Sequence, residues 1–232
     1  MSRVIALVLV GAVLALAAPS GPAQGFLDQG TFVITSGDNE IGREEFAIRA
    51  TAGRQGLGGV QAVATVHYRD RDYRAALELT TDHVPVSYQG DAMAAGRVAE
   101  RLIGQCRRGR CAVRVVTQAG EVAREFPVPP LFAVLDDDTF DQFAFLPRAS
   151  GAAPLPVMVL RPRETRVVAA EIRALGPDSV VIADRSVAAE HFAIALPGSD
   201  VREFWLSAAG DLLKVSIPGR AVTATRSSLP AR

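Results

Sequence analysis

Apolar and polar side chains alternate with a period of two between short turn sequences, and this alternation most constrains the fold. In the segment 211–217, Leu213, Val215 and Ile217 share one face, while Lys214 and Ser216 lie on the other. This period is typical of strands with one buried face. The same alternation predicts further strands at 31–36, 45–50, 60–68, 73–80, 111–117, 167–175, 187–196, 201–207 and 221–225.

The connections between these strands are too short to hold crossover helices. Turn residues rich in Gly, Pro, Asp and Asn lie at 37–39, 69–72, 118–120, 176–178, 184–185, 197–200, 209–211 and 218–219. Neighbouring strands joined so closely are antiparallel. We therefore expect a mainly β protein with a single large curved antiparallel sheet or half-barrel meander.

The predicted meander has two halves, 28–128 and 156–227, joined by an aromatic segment at 129–155. Asp138 could cap a short helix that begins at Thr139, with Phe140, Phe143 and Leu146 on one face. We expect this helix to pack on the concave side of the sheet. The alternative is that it merely plugs one end of the core.

The first 23 residues have the parts of a secretory signal peptide, and we predict that they form a signal helix. Arg3 precedes an uncharged apolar run at 4–18, which is shorter than the ~20 residues of a membrane span. Ala-x-Ala at 15–17 and the small residues at 21–23 are candidate cleavage sites. We expect a single β domain, 24–232, in the periplasm, with membrane contact only through the uncleaved signal; an uncleaved anchor is the alternative.

The chain has two cysteines, Cys106 and Cys111, and their chemistry depends on whether the protein is exported. With Arg108 and Gly109 at the centre of a two-residue turn, the cysteines lie opposite each other in a hairpin. In an oxidising compartment this arrangement favours a disulfide. A metal site and a redox couple are the alternatives, but they lack further ligands and the C-x-x-C spacing.

Composition and motifs disfavour several function classes. The 25 basic and 25 acidic residues give no net charge, which argues against a nucleic-acid partner. No phosphate-binding loop, nucleophile elbow or cofactor motif occurs, so we expect neither a cofactor nor an enzyme. The acidic residues at 136–138 and Asp141 invite a metal hypothesis, but helix capping is the simpler interpretation, and we expect no metal site.

A weak resemblance comes from the ends of the chain. The segment 201–226, with Trp205, Gly210 and the strand containing Lys214, resembles the closing strands of uncharacterised exported bacterial β-proteins that form a domain of unknown function. The segment 30–46 resembles their opening strands. The resemblance implies an exported β fold similar to the curved sheet of lipoprotein carriers of the LolA type.

Three hypotheses about function follow. The first is a non-catalytic periplasmic protein that binds an apolar or lipid-like small molecule in the curved sheet. The candidate contacts are Phe132, Phe140, Phe143, Phe145 and Trp205. The alternative is an envelope structural or assembly module that docks a protein through a sheet edge or the basic hairpin tip. The third is a hydrolase or metal enzyme that uses the acidic residues of 136–141 with one histidine. A filled interior favours docking, whereas a large cavity favours ligand carriage.

Overall fold

The computed structural model describes residues 25–52, 58–198 and 201–230. The predicted signal peptide and its helix lie outside these residues. In the described part of the chain nearly all regular structure is β, and no helix is long and apolar enough to cross a membrane.

Fifteen strands of the described residues form one sheet. Their bounds are β1 Phe26–Ser36, β2 Asn39–Thr51, β3 Gly59–Tyr68, β4 Asp72–Leu79, β5 Pro85–Ala94, β6 Arg97–Arg107, β7 Arg110–Thr117, β8 Gly120–Pro127, β9 Phe132–Val134, β10 Leu155–Arg161, β11 Arg166–Ile182, β12 Arg185–Ala195, β13 Arg202–Leu206, β14 Leu212–Ile217 and β15 Val222–Arg226.

The sheet is two meanders joined in the middle. Strands β1 to β8 follow one another in order on one side, and β15 to β9 do so on the other, because β1 pairs with β15. All neighbours are antiparallel except β9 and β10, which are parallel. The predicted large antiparallel sheet is confirmed. It is not closed into a barrel, and its two edge strands are β8 and β9.

The curled sheet brings its final strands against its earlier ones. Strand β9 lies beside β5, and Arg163, just after β10, pairs with Glu100 of β6 at 3.2 Å. Strands β7 and β8 follow β6 in the sheet; β7 still contributes Cys111 and Val113 to the core, whereas residues 120–125 of β8 are exposed.

Most predicted strands are confirmed, but one predicted turn is wrong. The residues 176–178 lie inside β11, which continues to Ile182 with a bulge between Ala174 and Gly176. By register, the nitrogen of Pro177 faces away from β12, and β10 ends before reaching it. Proline costs no ladder hydrogen bond at such an edge position.

The apolar side chains form one large core and one small cluster. The large core fills the concave side of the sheet and includes Phe32, Phe46, Leu102, Phe192 and Phe204. The small cluster is separate. Its members are Val180, Ile182, Ala189, Trp205 and Leu213.

The predicted cysteine hairpin is confirmed. Cys106 and Cys111 face each other across β6 and β7 and form a disulfide. Arg108 and Gly109 both have positive φ, 51° and 74°, as the two-residue turn requires.

Candidate functional site

The segment Phe132–Leu146, which we call the plug, fills the concave side of the sheet. Leu135, Phe140, Phe143 and Leu146 are buried, and the rings of Phe143 and Phe204 lie 5.9 Å apart. The predicted aromatic face is therefore buried in the core.

The helix of the plug differs from the prediction. It is a 3-10 helix, Asp141–Phe145, whose N-cap residue is Phe140, and the side chain of this residue makes no capping hydrogen bond. Asp138 is thus not a helix cap. Its carboxylate lies among arginines, as described below.

Glu44 of β2 anchors the start of the 3-10 helix. Its two carboxylate oxygens accept the backbone N–H groups of Phe140 and Asp141, each at 2.7 Å. Burial raises the pKa of Glu44 well above its usual value, and the Asp141 carboxyl raises it further. Burial likewise raises the pKa of Asp141 to about 7. Burial is thus the main cause of the raised pKa at both carboxyl groups, and the charge of Asp141 adds to it at Glu44.

Asp136 binds the plug to the first half of the sheet. Its carboxylate accepts hydrogen bonds from the hydroxyls of Tyr73 at 2.5 Å and Tyr88 at 2.7 Å. Burial, followed by the charge of Asp136, raises the pKa of both tyrosines. The phenols therefore act as hydrogen-bond donors. Gly90 makes room for them, since a Cβ atom there would lie 2.0 Å from the Tyr73 hydroxyl oxygen.

Asp137 binds the plug to the second half. Its carboxylate accepts hydrogen bonds from Arg161 at 2.9 Å, from Arg220 at 3.1 Å and from Arg202. Burial alone would raise its pKa, but the three guanidinium groups outweigh burial and lower it to about 2. Asp137 is therefore a permanent anion that neutralises buried arginines.

Asp138 completes this network, with ion pairs to Arg71 at 3.0 Å and Arg163 at 2.8 Å. The three consecutive aspartates thus hold the plug to both halves of the sheet. Within the described ranges, no three His, Cys, Asp or Glu side chains converge as metal ligands.

The five predicted ligand contacts are not brought together at one open site. Phe132, Phe140 and Phe143 are buried in the core. Phe145 is half-buried and packs edge-on against His83, with 5.4 Å between the ring centroids. A ligand could reach the three buried rings only if the plug moved.

Trp205 belongs to the small cluster, away from the plug. Its ring stacks on His191 at 4.1 Å, with the Lys214 ammonium 4.5 Å from the ring centroid. Its Nε1–H donates to the Asp178 carboxylate at 2.8 Å. Trp205 therefore holds the outer part of the β11–β12 hairpin against the sheet and lies apart from the four predicted phenylalanine contacts.

A surface cavity of about 380 Å³ opens beside the plug. Arg71 and Arg220 line it, but both are already paired, with Asp138 and Asp137. Apolar side chains of Ile41, Phe140 and other residues form the remaining wall. Arg69 and Asp70 also line the cavity, and Arg69 donates a hydrogen bond to the carbonyl of Glu40 at 3.0 Å.

Strand β8 offers a different kind of site, because no described strand pairs with its outer side. Residues 120–125 are all exposed, and the register of β8 on β7 is free of bulges. Counting hydrogen-bonded pairs from the β6–β7 turn, the backbone groups of Glu121, Ala123 and Glu125 point away from β7. A row of unpaired backbone groups can accept another strand.

The surroundings of this edge are basic. Between residues 107 and 127 the chain has five arginines and two glutamates, a net charge of +3. The glutamates pair with arginines of β7, in Arg114–Glu121 and Arg110–Glu125. Arg107, Arg108 and Arg124 have no acidic partner among the described residues. The sequence does show the basic hairpin, but the free edge is visible only in the strand order.

Comparisons with known proteins give the fold and no family. No protein-family model matches the chain, and no curated protein matches it. Among solved structures it is similar to a β-barrel-like protein of the domain of unknown function DUF1849 from Brucella abortus. The TM-score is 0.52 and the sequence identity 10%, over 87% of this chain and 95% of the other. This likeness supports a β-rich, barrel-like fold. The resemblance to LolA-type carriers stays a prediction.

Proposed function

We propose that this chain is an exported, non-catalytic docking module of the cell envelope, and that it adds an extended, acidic segment of a partner protein to strand β8. The single observation that carries the proposal is the uncovered outer side of β8. The proposal of export depends on the signal peptide at 1–23 and is supported by the disulfide.

The filled interior favours docking over ligand carriage in the curved sheet. Side chains of the plug occupy the concave side, and three aspartates fix the plug to both halves of the sheet. Moving the plug would separate buried charges from their partners, which is costly. Lipid-like carriage on the concave side therefore has no observation in its favour.

The edge strand also indicates the chemistry of its partner. Backbone hydrogen bonds from β8 would hold any extended segment, so side chains must select it. A net charge of +3 around the edge favours acidic side chains in the incoming strand. Such pairing speeds association and weakens as salt rises.

Replacing Ala123 by proline tests this proposal. Its N–H points away from β7, so proline removes one docking hydrogen bond and leaves the β7–β8 ladder intact. The matched control is Ala123→Val, which keeps the N–H. A photo-crosslinking residue at Gln118, in the neighbouring turn, reports on the partner in cells.

We expect one dominant crosslinked product with the natural chain and with Ala123→Val, and its loss with Ala123→Pro. The product should also weaken when Arg107 and Arg108 are replaced by glutamate. A ladder of products that is the same in every variant would contradict the proposal. Mass measurement of the periplasmic protein tests export, with a new N-terminus expected near residue 24.

A further inference from the structure

A groove of about 340 Å³ lies beside the disulfide hairpin, and we call it the tip groove. Three pieces of chain form it: the β4–β5 connection, the β6–β7 turn and the start of the joint between the two halves. Its lining residues are Thr80, Val84, Pro85, Val86, Cys106, Arg107, Arg108, Gly109, Arg110, Val128, Pro129, Pro130 and Phe132.

The walls of the tip groove are fixed by hydrogen bonds. The N–H of Val128 donates to the carbonyl of Gly109 at 2.8 Å and holds the joint to the turn. On the other side, the Thr80 hydroxyl accepts the N–H of Val84 at 3.1 Å. The disulfide fixes the base of the hairpin. The groove is therefore preformed, which lowers the entropic cost of binding.

The tip groove combines an apolar floor with unpaired positive charge. Valine, proline and Phe132 side chains form the floor. At the rim, Arg110 pairs with Glu125, whereas Arg107 and Arg108 have no acidic partner in the described part of the chain. This differs from the cavity beside the plug, where Arg71 and Arg220 are already neutralised.

We propose that the tip groove binds a single-chain amphiphile with an anionic head group, a carboxylate or a phosphate. The apolar chain would lie on the floor, and the head group would accept hydrogen bonds from Arg107 and Arg108. Ligand pockets range from about 300 to 1,000 Å³, so a groove of this size accommodates one alkyl chain rather than two. The site uses none of the backbone groups on the outer side of β8, although Arg107 and Arg108 also belong to the basic surroundings of that edge.

Calorimetric titration with three probes tests this site. The protein is purified from cells that express the full chain, and each probe is kept below its critical micelle concentration. Dodecyl phosphate carries both features, inorganic phosphate lacks the chain, and dodecyl maltoside lacks the charge. We expect saturable 1:1 binding of dodecyl phosphate and at least about tenfold weaker binding of the other two.

Variants locate the site. Arg107→Ala with Arg108→Ala should weaken dodecyl phosphate binding by about tenfold or more, and Arg185→Ala, at an exposed arginine of the β11–β12 turn, should leave it unchanged. Ala123→Pro should also leave it unchanged, so failure of this site and failure of β8 docking give different results. Absence of binding, equal binding of dodecyl maltoside, or binding that survives the double variant would each overturn the proposal.

Discussion

The plug and the β7–β8 hairpin differ in how far other parts of the chain cover them. Both belong to a sheet whose strands alternate apolar and polar residues. The plug covers the concave face, and the carboxylates of its Asp136 and Asp137 accept hydrogen bonds from Tyr73, Tyr88 and buried arginines. Strand β8 has no such cover, and all its residues from 120 to 125 are exposed. The sheet thus encloses a core where the plug fills its concave side. At β8, which nothing in the described chain covers, it leaves unpaired backbone groups that can bind another strand.

The largest difference between the two regions should appear when apolar side chains are shortened. Phe143 is 1% exposed in the plug, and Val122 is 50% exposed on β8. Phe143→Ala should lower the free energy of unfolding by about 4 kcal/mol, because it leaves a cavity. Val122→Ala should change it by less than about 0.5 kcal/mol. Urea denaturation measures the free energy of unfolding of both variants. Equal losses would show that the plug and β8 do not differ in packing.

Removing the charge of Asp137 should have the next largest effect. Asp137→Asn removes the anion from the buried guanidinium group of Arg202, whereas Arg161 keeps its ion pair with Glu164. We expect a loss of about 3 kcal/mol in the free energy of unfolding. Asp70→Asn is the matched control at an exposed position and should be nearly neutral. Chemical denaturation of the two variants gives the comparison, and a neutral Asp137→Asn would show that the network does not hold the plug.

Removing the disulfide should have a smaller effect. Cys106 and Cys111 close a loop of six residues, for which chain entropy gives about 2 kcal/mol. The Cys106→Ser, Cys111→Ser variant should loosen the β6–β7 tip and leave the plug intact. Tyrosine fluorescence from the Asp136 cluster should stay unchanged in the variant. A loss of core packing would instead link the hairpin to the plug.

The pH dependence of stability tests the burial of Asp141 in the plug, because a raised pKa predicts that stability falls as pH rises. Burial raises the pKa of Asp141 to about 7, so the folded chain keeps a proton that the unfolded chain releases above about pH 4. This contribution to stability is complete below that value and is lost as pH rises through 7. Asp141→Asn should flatten the fall between pH 4 and 7. An unchanged slope would show that the buried carboxyl pair is not its source.

Much of the fold could be predicted from sequence, because antiparallel strands joined by short turns are local. The alternation does not predict β5, β6, β8, β9 or β10. In β5 the pattern is interrupted by Gly90, which is needed for the two tyrosine hydroxyls to reach Asp136. In β8 neither face is buried, so no alternation is required.

The candidate sites were harder to predict, since they depend on distant contacts. The hairpin turn and disulfide follow from six consecutive residues and are confirmed. The partners of Asp136 and Asp137 come from five other parts of the chain, so capping was the wrong interpretation of the acidic run. Glu44 likewise meets the plug across 96 residues. The free edge at β8 depends on the order of the strands in the sheet, and local sequence patterns do not predict that order.

Residue-resolved hydrogen exchange of the isolated protein measures the central contrast most directly. In β8 we expect rapid exchange at the outward amides of Glu121, Ala123 and Glu125, and protection at Val122 and Arg124, which face β7. The amides of Phe140 and Asp141, bound to Glu44, should be among the slowest. Uniform protection along β8, or rapid exchange in the plug, would contradict the account of a filled interior with a free edge at β8.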